Sequence, residues 1–329
     1  MRPLRLALCY DLKGDYLAAG YSPDEVLELD EQDTVDELAG GLSQLGHVVE
    51  AVGRGVELAR RLAAGERWDL VFNIAEGIRG RSREAQVPAV CEMFDQPYTF
   101  SDPLTCALTL DKPLAKRLVR DCGLPTPDFA VVESAGQAAG VRLEAPLFAK
   151  PAAEGSSKGV TARSHVERRE DLPGVCAELL AAYRQPVLVE RYLPGREVTV
   201  GILGNDGDAH VAGVMEVQIV GGDLAAYTAA NKEDWRERMR YQLVPEEDPL
   251  AARAREVALG VYRALGCRDA SRVDLRCDER GEPCFLEVNP LPGLHPVRSD
   301  LPILWRLAGH AYPELLGHIV EAAAGRGRL

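Results

Sequence analysis

The chain opens on alternating apolar and amphipathic blocks. A short apolar run, "LRLALCY" (4–10), predicts a buried strand, and "TVDELAGGLSQLG" (34–46) spaces its apolar residues as a helix does and stops at Gly46. "HVVEAV" (47–52) then predicts a strand, "GVELARRLAAGE" (55–66) a helix and "WDLVFNIAEG" (68–77) a strand. This alternation predicts a parallel α/β unit over about the first hundred residues. Helical segments are expected around "REAQVPAVCEMF" (83–94) and "DKPLAKRLVRDCG" (111–123), broken by Pro125 and Pro127.

The pattern then changes to short strands separated by turns: "DFAVVES", "APLFAKPA", "GVTARSH", "PVLVERYL" and "REVTVGILG". A helix ("PLAARAREVALGVYRALG"), a hairpin and a last helix ("YPELLGHIVEAAAG") close the chain. The polar stretch 221–249 shows no clear period and reads as a long loop of the kind that forms lids.

Composition narrows the class. The 329 residues suit two or three packed subdomains, and 46% hydrophobic with 27% charged residues is the balance of a soluble globular protein. Acids outnumber bases 51 to 38, so the net charge of -13 argues against nucleic acid as a partner. No apolar run is long enough for a membrane span. The basic, apolar N-terminus runs at once into charged residues and reads as a first strand, not a signal peptide. The eight cysteines form neither a CxxC pair nor a zinc pattern, and a reducing cytoplasm is the simplest setting.

Two stretches carry chemistry. "AKPAAEGSSKGV" (149–160) places Lys150 at the end of a strand, followed by a glycine- and serine-rich loop. No helical period follows Gly159, so the loop is expected to join antiparallel strands and not to form a P-loop. Backbone N–H groups and hydroxyls in such a loop can cover phosphates; taken alone, it reads equally as an exposed turn. In "SRVDLRCDERGEPCFLEVNP" (271–290), a two-residue turn at Arg280-Gly281 places Asp274 opposite Glu287 and Arg272 opposite Asn289. Those four residues then share one face, with Val273, Leu275, Leu286 and Val288 on the other. Two facing carboxylates and an amide oxygen suit Mg²⁺; the competing reading is a solvated face neutralised by Arg272.

With these motifs in order ("DKPLAK", 111–116; "AKPAAEGSSKGV"; "VERYLPGREVTVGILG", 189–204; "RVDLR", 272–276; "EVNPLPGL", 287–294; and "SDLPILWRLAGHAYPELLGHIVEAA", 299–323) the chain resembles ATP-grasp enzymes, most closely the D-alanine–D-alanine ligase family. The resemblance implies an α/β (α+β) fold of three subdomains: a parallel α/β unit (1–104), a central subdomain (105–187) and a C-terminal subdomain (188–329), with ATP gripped between two antiparallel sheets. It assigns Lys112, Lys150, Ser156 and Ser157 to the ATP phosphates, Glu190 to Leu193 to the adenine hinge and Glu197 to the ribose. Asp274, Glu287 and Asn289 would hold two Mg²⁺ ions, for which Mn²⁺ can substitute. Arg272 would steady the transferring phosphoryl group, and Lys232 resembles the family's lid lysine. The implied reaction activates a carboxylate as an acylphosphate, which an amine attacks to give an amide; the tetrahedral oxyanion needs positive charge nearby, and the lid keeps out water. The resemblance also implies a homodimer acting on small-molecule carboxylates and amines.

The N-terminal region departs from the family. The early glutamate that binds the first substrate's ammonium has no counterpart motif here. Glu76 stands where the family has a histidine, and Arg79, Arg81 and Arg83 crowd a loop that is usually acidic. These arginines read as a solvated helix entry or, if they face the site, as contacts to an extra substrate carboxylate. "PGLHPVRSDLP" is one residue longer than the family spacing, so Ser299 or Arg298 is expected to meet a substrate carboxylate; His295 reads equally as structural or catalytic. A product other than D-alanyl-D-alanine is therefore expected. True D-alanine ligation, a non-catalytic nucleotide-binding module and a phosphotransferase are the alternatives.

Overall fold

A computed structural model describes residues 2–155, 157–219 and 239–326. Three sheets organise them. The first is parallel, with β1 (Arg5–Cys9) between β2 (Val48–Gly53) and β3 (Leu70–Asn73). β1 and β3 are buried on both faces, which explains their continuous apolar runs, while the edge strand β2 stays partly exposed. Leu6, Leu8, Leu70 and Phe72 point to one core, under helices 32–44 and 312–326. Ala7, Cys9 and Val71 point to the other, against Leu58, Leu62, Val87 and Cys91 of helices 55–63 and 86–93.

The second sheet is antiparallel, in the order β4-β7-β5-β6: β4 (Phe129–Val132), β5 (Leu147–Pro151), β6 (His165–Val166) and β7 (Val187–Arg191). The glycine-rich loop does join antiparallel strands, since β5 pairs with β6. "GVTARSH" contributes only His165 to the two-residue strand β6, because Thr161 caps a 3-10 turn over Ala162–Ser164. Helix 172–183 covers one face through Leu172, Val175 and Cys176.

The third sheet has five antiparallel strands, β10-β9-β8-β11-β12: β8 (Glu197–Leu203), β9 (His210–Ile219), β10 (Met239–Leu243), β11 (Ala270–Cys277) and β12 (Pro283–Asn289). β10 lies inside the stretch expected to be an irregular loop. The alternation in "MRYQL" is a strand signal, and it pairs with β9 from Met239 to Leu243. Helices 112–121 and 249–264 pack on this sheet. Helix 300–307 carries Leu301 and Trp305 into the core that underlies the first sheet. Among the described residues no helix is long and apolar enough to cross a membrane.

Asp269 ties these parts together. It is fully buried in a left-handed conformation. Its carboxylate accepts hydrogen bonds from the Phe100 N–H at 2.7 Å, the Asn205 amide at 3.0 Å and the Arg326 guanidinium at 2.6 and 2.8 Å. Asp269→Ala leaves Arg326 uncompensated and puts a Cβ-bearing residue with no local side-chain hydrogen bond in the left-handed region, so it should lower stability by about 3 kcal/mol. Asp269→Asn tolerates that backbone and should lose less; urea unfolding midpoints of the two variants check the order.

Candidate functional site

A cavity of about 610 Å³ lies between the two antiparallel sheets, and a smaller one of about 60 Å³ adjoins it. They share Lys112 and Glu287. The sequence places these side chains simply. Asp111 caps helix 112–121 by accepting from the Leu114 N–H, which sets Lys112 in the first turn. Lys150 stands on β5 opposite Leu188 of β7, and Glu190 on β7 opposite Phe148.

The lysines are held in a chain of alternating charge. Glu190 pairs with Lys116 at 2.6 Å and Lys150 at 3.5 Å. Glu287 pairs with Lys112 at 3.5 Å and Lys150 at 3.6 Å. Burial alone would raise the Glu190 carboxyl, but Lys116 and Lys150 outweigh it and hold its pKa below the ordinary range. Burial likewise works against Glu287, yet Lys112, Lys150 and Arg272 hold it at about 2. Lys150 keeps its proton more firmly than a free lysine despite burial, because Glu190 and Glu287 face it. Glu197 is raised by burial, and Arg276 donates to it at 3.0 Å.

The hairpin register agrees at the site with the sequence reading, for a different reason. Asp274 faces Glu287 and Arg272 faces Asn289. The turn is not two residues long, however. Asp278 N–H bonds to the Glu282 carbonyl, Gly281 N–H returns to the Asp278 carbonyl, and Gly281 has φ +84°. This is a three-residue loop with a left-handed glycine, which shifts the register by one. A bulge between Asp274 and Leu275 shifts it back. Leu286 therefore leaves the expected core face and lines the large cavity, while Phe285 is fully buried in its place.

Thr199 donates to Asp274 at 2.8 Å, and the Asn289 amide approaches it at 3.3 Å. Arg272 spans Asp274 at 3.0 Å and Asp300 at 2.5 Å. Burial raises the Asp274 carboxyl to about 6; Arg272 opposes the shift, and Glu287 and Asp300 add to it. Among the described residues no three His, Cys, Asp or Glu side chains form a self-contained metal cage. The oxygen donors here suit a hard cation that completes its shell with water and phosphate, and the crowded carboxylates are what such a cation relieves.

Lys112, Lys150, Ser157, Glu190, Leu193, Glu197, Asp274 and Glu287 all line the large cavity; Glu76, Glu287 and Asn289 line the small one. Ser156 and Lys232 lie outside the described residues. Arg81 lines neither cavity: it is 76% exposed and pairs with Asp111 at 2.6 Å. Arg79 stacks over Tyr21, and Arg83 is buried against Glu28. Arg298 pairs with Asp33, and the Ser299 hydroxyl accepts from the His295 N–H at 3.0 Å. Neither residue lines the two cavities, because the loop's extra length is spent on its own hydrogen bonds and on Asp33. Five residues escaped the sequence reading. Lys116 follows Lys112 by one helical turn, a period that could have found it. Lys158, which pairs with Glu154 at 2.9 Å, and Asp300 sit beside motifs already marked. Glu28 and Glu84 carry no local signal; the fold alone brings them to the small cavity.

A parallel α/β unit followed by two antiparallel sheets that close on a nucleotide-sized cavity defines an ATP-grasp enzyme. Residues 118–321 match the family described as "D-ala D-ala ligase C-terminus". A D-alanine--D-alanine ligase of Pelotomaculum thermopropionicum is 31% identical over 322 residues, 95% of this chain and 96% of its own. A putative D-alanine--D-lactate ligase of Streptomyces coelicolor is 36% identical over 259 residues, 78% of this chain and 72% of its own. The D-alanine--D-alanine ligase of Bacillus anthracis, solved with ATP, shares the fold with a TM-score of 0.72 at 21% identity, over 98% of both chains. The chain belongs to the D-alanine–D-alanine ligase family of ATP-dependent, ADP-forming ligases.

Burial raises the Glu84 carboxyl to about 7, with Arg83 opposing and Glu28 adding to the shift. Folding thus favours its protonated form, so its contribution to stability falls as pH rises from about 4.5 to 7. Glu84→Gln should remove that slope. Urea midpoints measured from pH 4.5 to 8 should converge at low pH, with the variant the more stable at high pH.

Proposed function

We propose that this ligase joins the carboxylate of an amino acid or small carboxylic acid to an amine through an acylphosphate. The observation that carries this is the seam between the cavities, where Lys112, Lys150, Glu287 and Asp274 converge. A triphosphate in the large cavity would end there, and a carboxylate in the small cavity would meet it.

In this reading the hinge from Glu190 to Leu193 carries the adenine, and Glu197 takes the ribose hydroxyls. Lys112 and Lys150 bind phosphate oxygens, and the loop bearing Ser156 and Ser157 covers them. That loop is anchored: the Ala153 N–H donates to Gln185 at 2.7 Å, and Gly159, at φ +79°, packs where a Cβ would fall 2.5 Å from the Pro151 ring. Asp274, Glu287 and Asn289 would hold Mg²⁺, which supplies charge neutralisation of the phosphates when bound. Arg272, kept protonated by Asp274, Asp300 and Glu287 against the effect of burial, steadies the transferring phosphoryl group.

The bookkeeping of atoms is simple. The carboxylate oxygen attacks the γ-phosphorus and the bond to ADP breaks. A neutral amine then attacks the acyl carbon, the C–O bond to phosphate breaks, and the amine loses a proton. The products are amide, ADP, phosphate and a proton. In this reading Arg272, paired with Asp274 behind the cavity wall, would supply the positive charge for the oxyanion formed between these steps. The intact charge set supports catalysis over the non-catalytic module. The relatives' names favour a second reading, ligation of two D-alanines; the wall of the small cavity, with four glutamates, favours a different substrate.

Purified protein with ATP, Mg²⁺ and pairs of amino acids should release ADP and phosphate in equal amounts, with an amide product in the mass spectrum. Glu287→Gln should lower kcat by ~10²-fold or more. A phosphorylated product that persists without amide would instead make the enzyme a phosphotransferase, and D-alanyl-D-alanine as the best product would select the second reading.

A further inference from the structure

The small cavity is lined by Glu28, Glu76 and Glu84, which come from three separate segments, together with Lys112, Glu287 and Asn289. Their partners differ. Both oxygens of Glu28 are taken, one by the Gly155 N–H and the other by Arg83. Arg83 is equally committed, since it also donates to the Ala153 carbonyl at 3.2 Å. Glu84 is only 9% exposed, yet among the described residues it makes no hydrogen bond or ion pair. Glu76 makes none either among the described residues. Both carboxyls therefore turn to the small cavity and not to a protein donor, which leaves them open to a donor that arrives with a ligand.

The sequence left the arginines of this loop either as a solvated helix entry or as contacts to an extra substrate carboxylate. The fold reverses that charge: the arginines turn to Asp111, Glu28 and Tyr21, and the acids face inward. Once Arg83 has paired with Glu28, two carboxyls remain. An ordinary amino acid brings one ammonium. Burial raises both Glu76 and Glu84, and Glu28 adds to each, so a cation placed between them gains on both sides. The cavity of about 60 Å³ has room for about four water-sized groups, which limits the side chain to one or two methylenes and a compact head.

Resting on the ligase reading above, we propose that the amino acid bound in the small cavity is a short diamino acid, of the size of 2,3-diaminopropionate or 2,4-diaminobutyrate, whose ammonium groups are received by Glu76 and Glu84. Its carboxylate then points toward Lys112 and Glu287, at the mouth of the large cavity.

Hydroxylamine tests this without knowledge of the natural amine. It attacks an acylphosphate at the acyl carbon and releases phosphate, leaving a coloured-complex-forming hydroxamate. The full chain with ATP, Mg²⁺ and hydroxylamine is given both enantiomers of each diamino acid. The uncharged isosteres 2-aminobutyrate and norvaline serve as comparison, with alanine and aspartate alongside. The diamino acids should show kcat/KM at least tenfold above their isosteres. Glu84→Gln and, separately, Glu76→Gln should bring that ratio down at least fivefold. Calorimetric binding of the same amino acids to protein loaded with a non-hydrolysable ATP analogue should show the same order. Isosteres that react as well as the diamino acids, or a ratio unmoved in both variants, would overturn the diamino proposal and leave the ligase reading standing. Absence of hydroxamate and ADP with every amino acid would overturn the ligase reading and this proposal with it.

Discussion

Lys112 and Lys150 place two ammonium groups in the wall of one cavity with the fully buried Lys116 behind them, and Glu190 and Glu287 are what keep them there. Glu190 is buried and bridges Lys116 to Lys150, and Glu287 bridges Lys150 to Lys112. Without those carboxylates the lysines would have to lose protons or leave the wall, since an unpaired buried charge is too costly to keep. Lys116 shows the balance closely: burial lowers its pKa even with Glu190 beside it. It also donates to the Phe285 carbonyl at 2.8 Å, so the helix that carries Lys112 is fastened to the hairpin that carries Glu287. Charge pairing and strand pairing thus fix the same distances, and the cationic wall is in place before any ligand arrives.

The sequence was most legible where a local rule acts on its own. Alternation of strand and helix in the first hundred residues, the Gly46 stop and the antiparallel join at the glycine loop all follow from periodicity and turn chemistry. The hairpin shows the limit of that approach. The facing of Asp274 and Glu287 follows from a two-residue turn that the chain does not make; a longer turn and a bulge displace the register in opposite senses. Leu286 records the difference, since it sits in the bulge and turns to the cavity. Glu28 and Glu84 were illegible for another reason. They lie more than fifty residues apart, and nothing local to either marks it as a neighbour of the other. Arg81, Arg83 and Arg298 show the complementary limit. A basic run reads as a solvated face or as an acidic ligand's contacts, and each of these arginines meets an acid of the same chain.

The two cavities consequently differ in character. The larger mixes lysines with carboxylates and apolar residues such as Phe148 and Leu193, as suits a nucleotide with a flat base and a charged tail. The smaller is short of cations and rich in acid. They meet at Lys112 and Glu287, so a group transferred from one to the other crosses a boundary set by one ion pair.

Helices 300–307 and 312–326 lie far along the chain from β1, yet Trp305, Leu316 and Ile319 share one buried core with Leu6 and Leu8 of that strand. During synthesis that core stays incomplete until roughly three hundred residues beyond β1 have been made. The N-terminal unit cannot therefore complete itself in the order in which it is translated. Its closing contacts span nearly the whole chain and carry the loop-closure entropy of that span. The core beneath the parallel sheet is thus closed by helices that follow both antiparallel sheets in the chain.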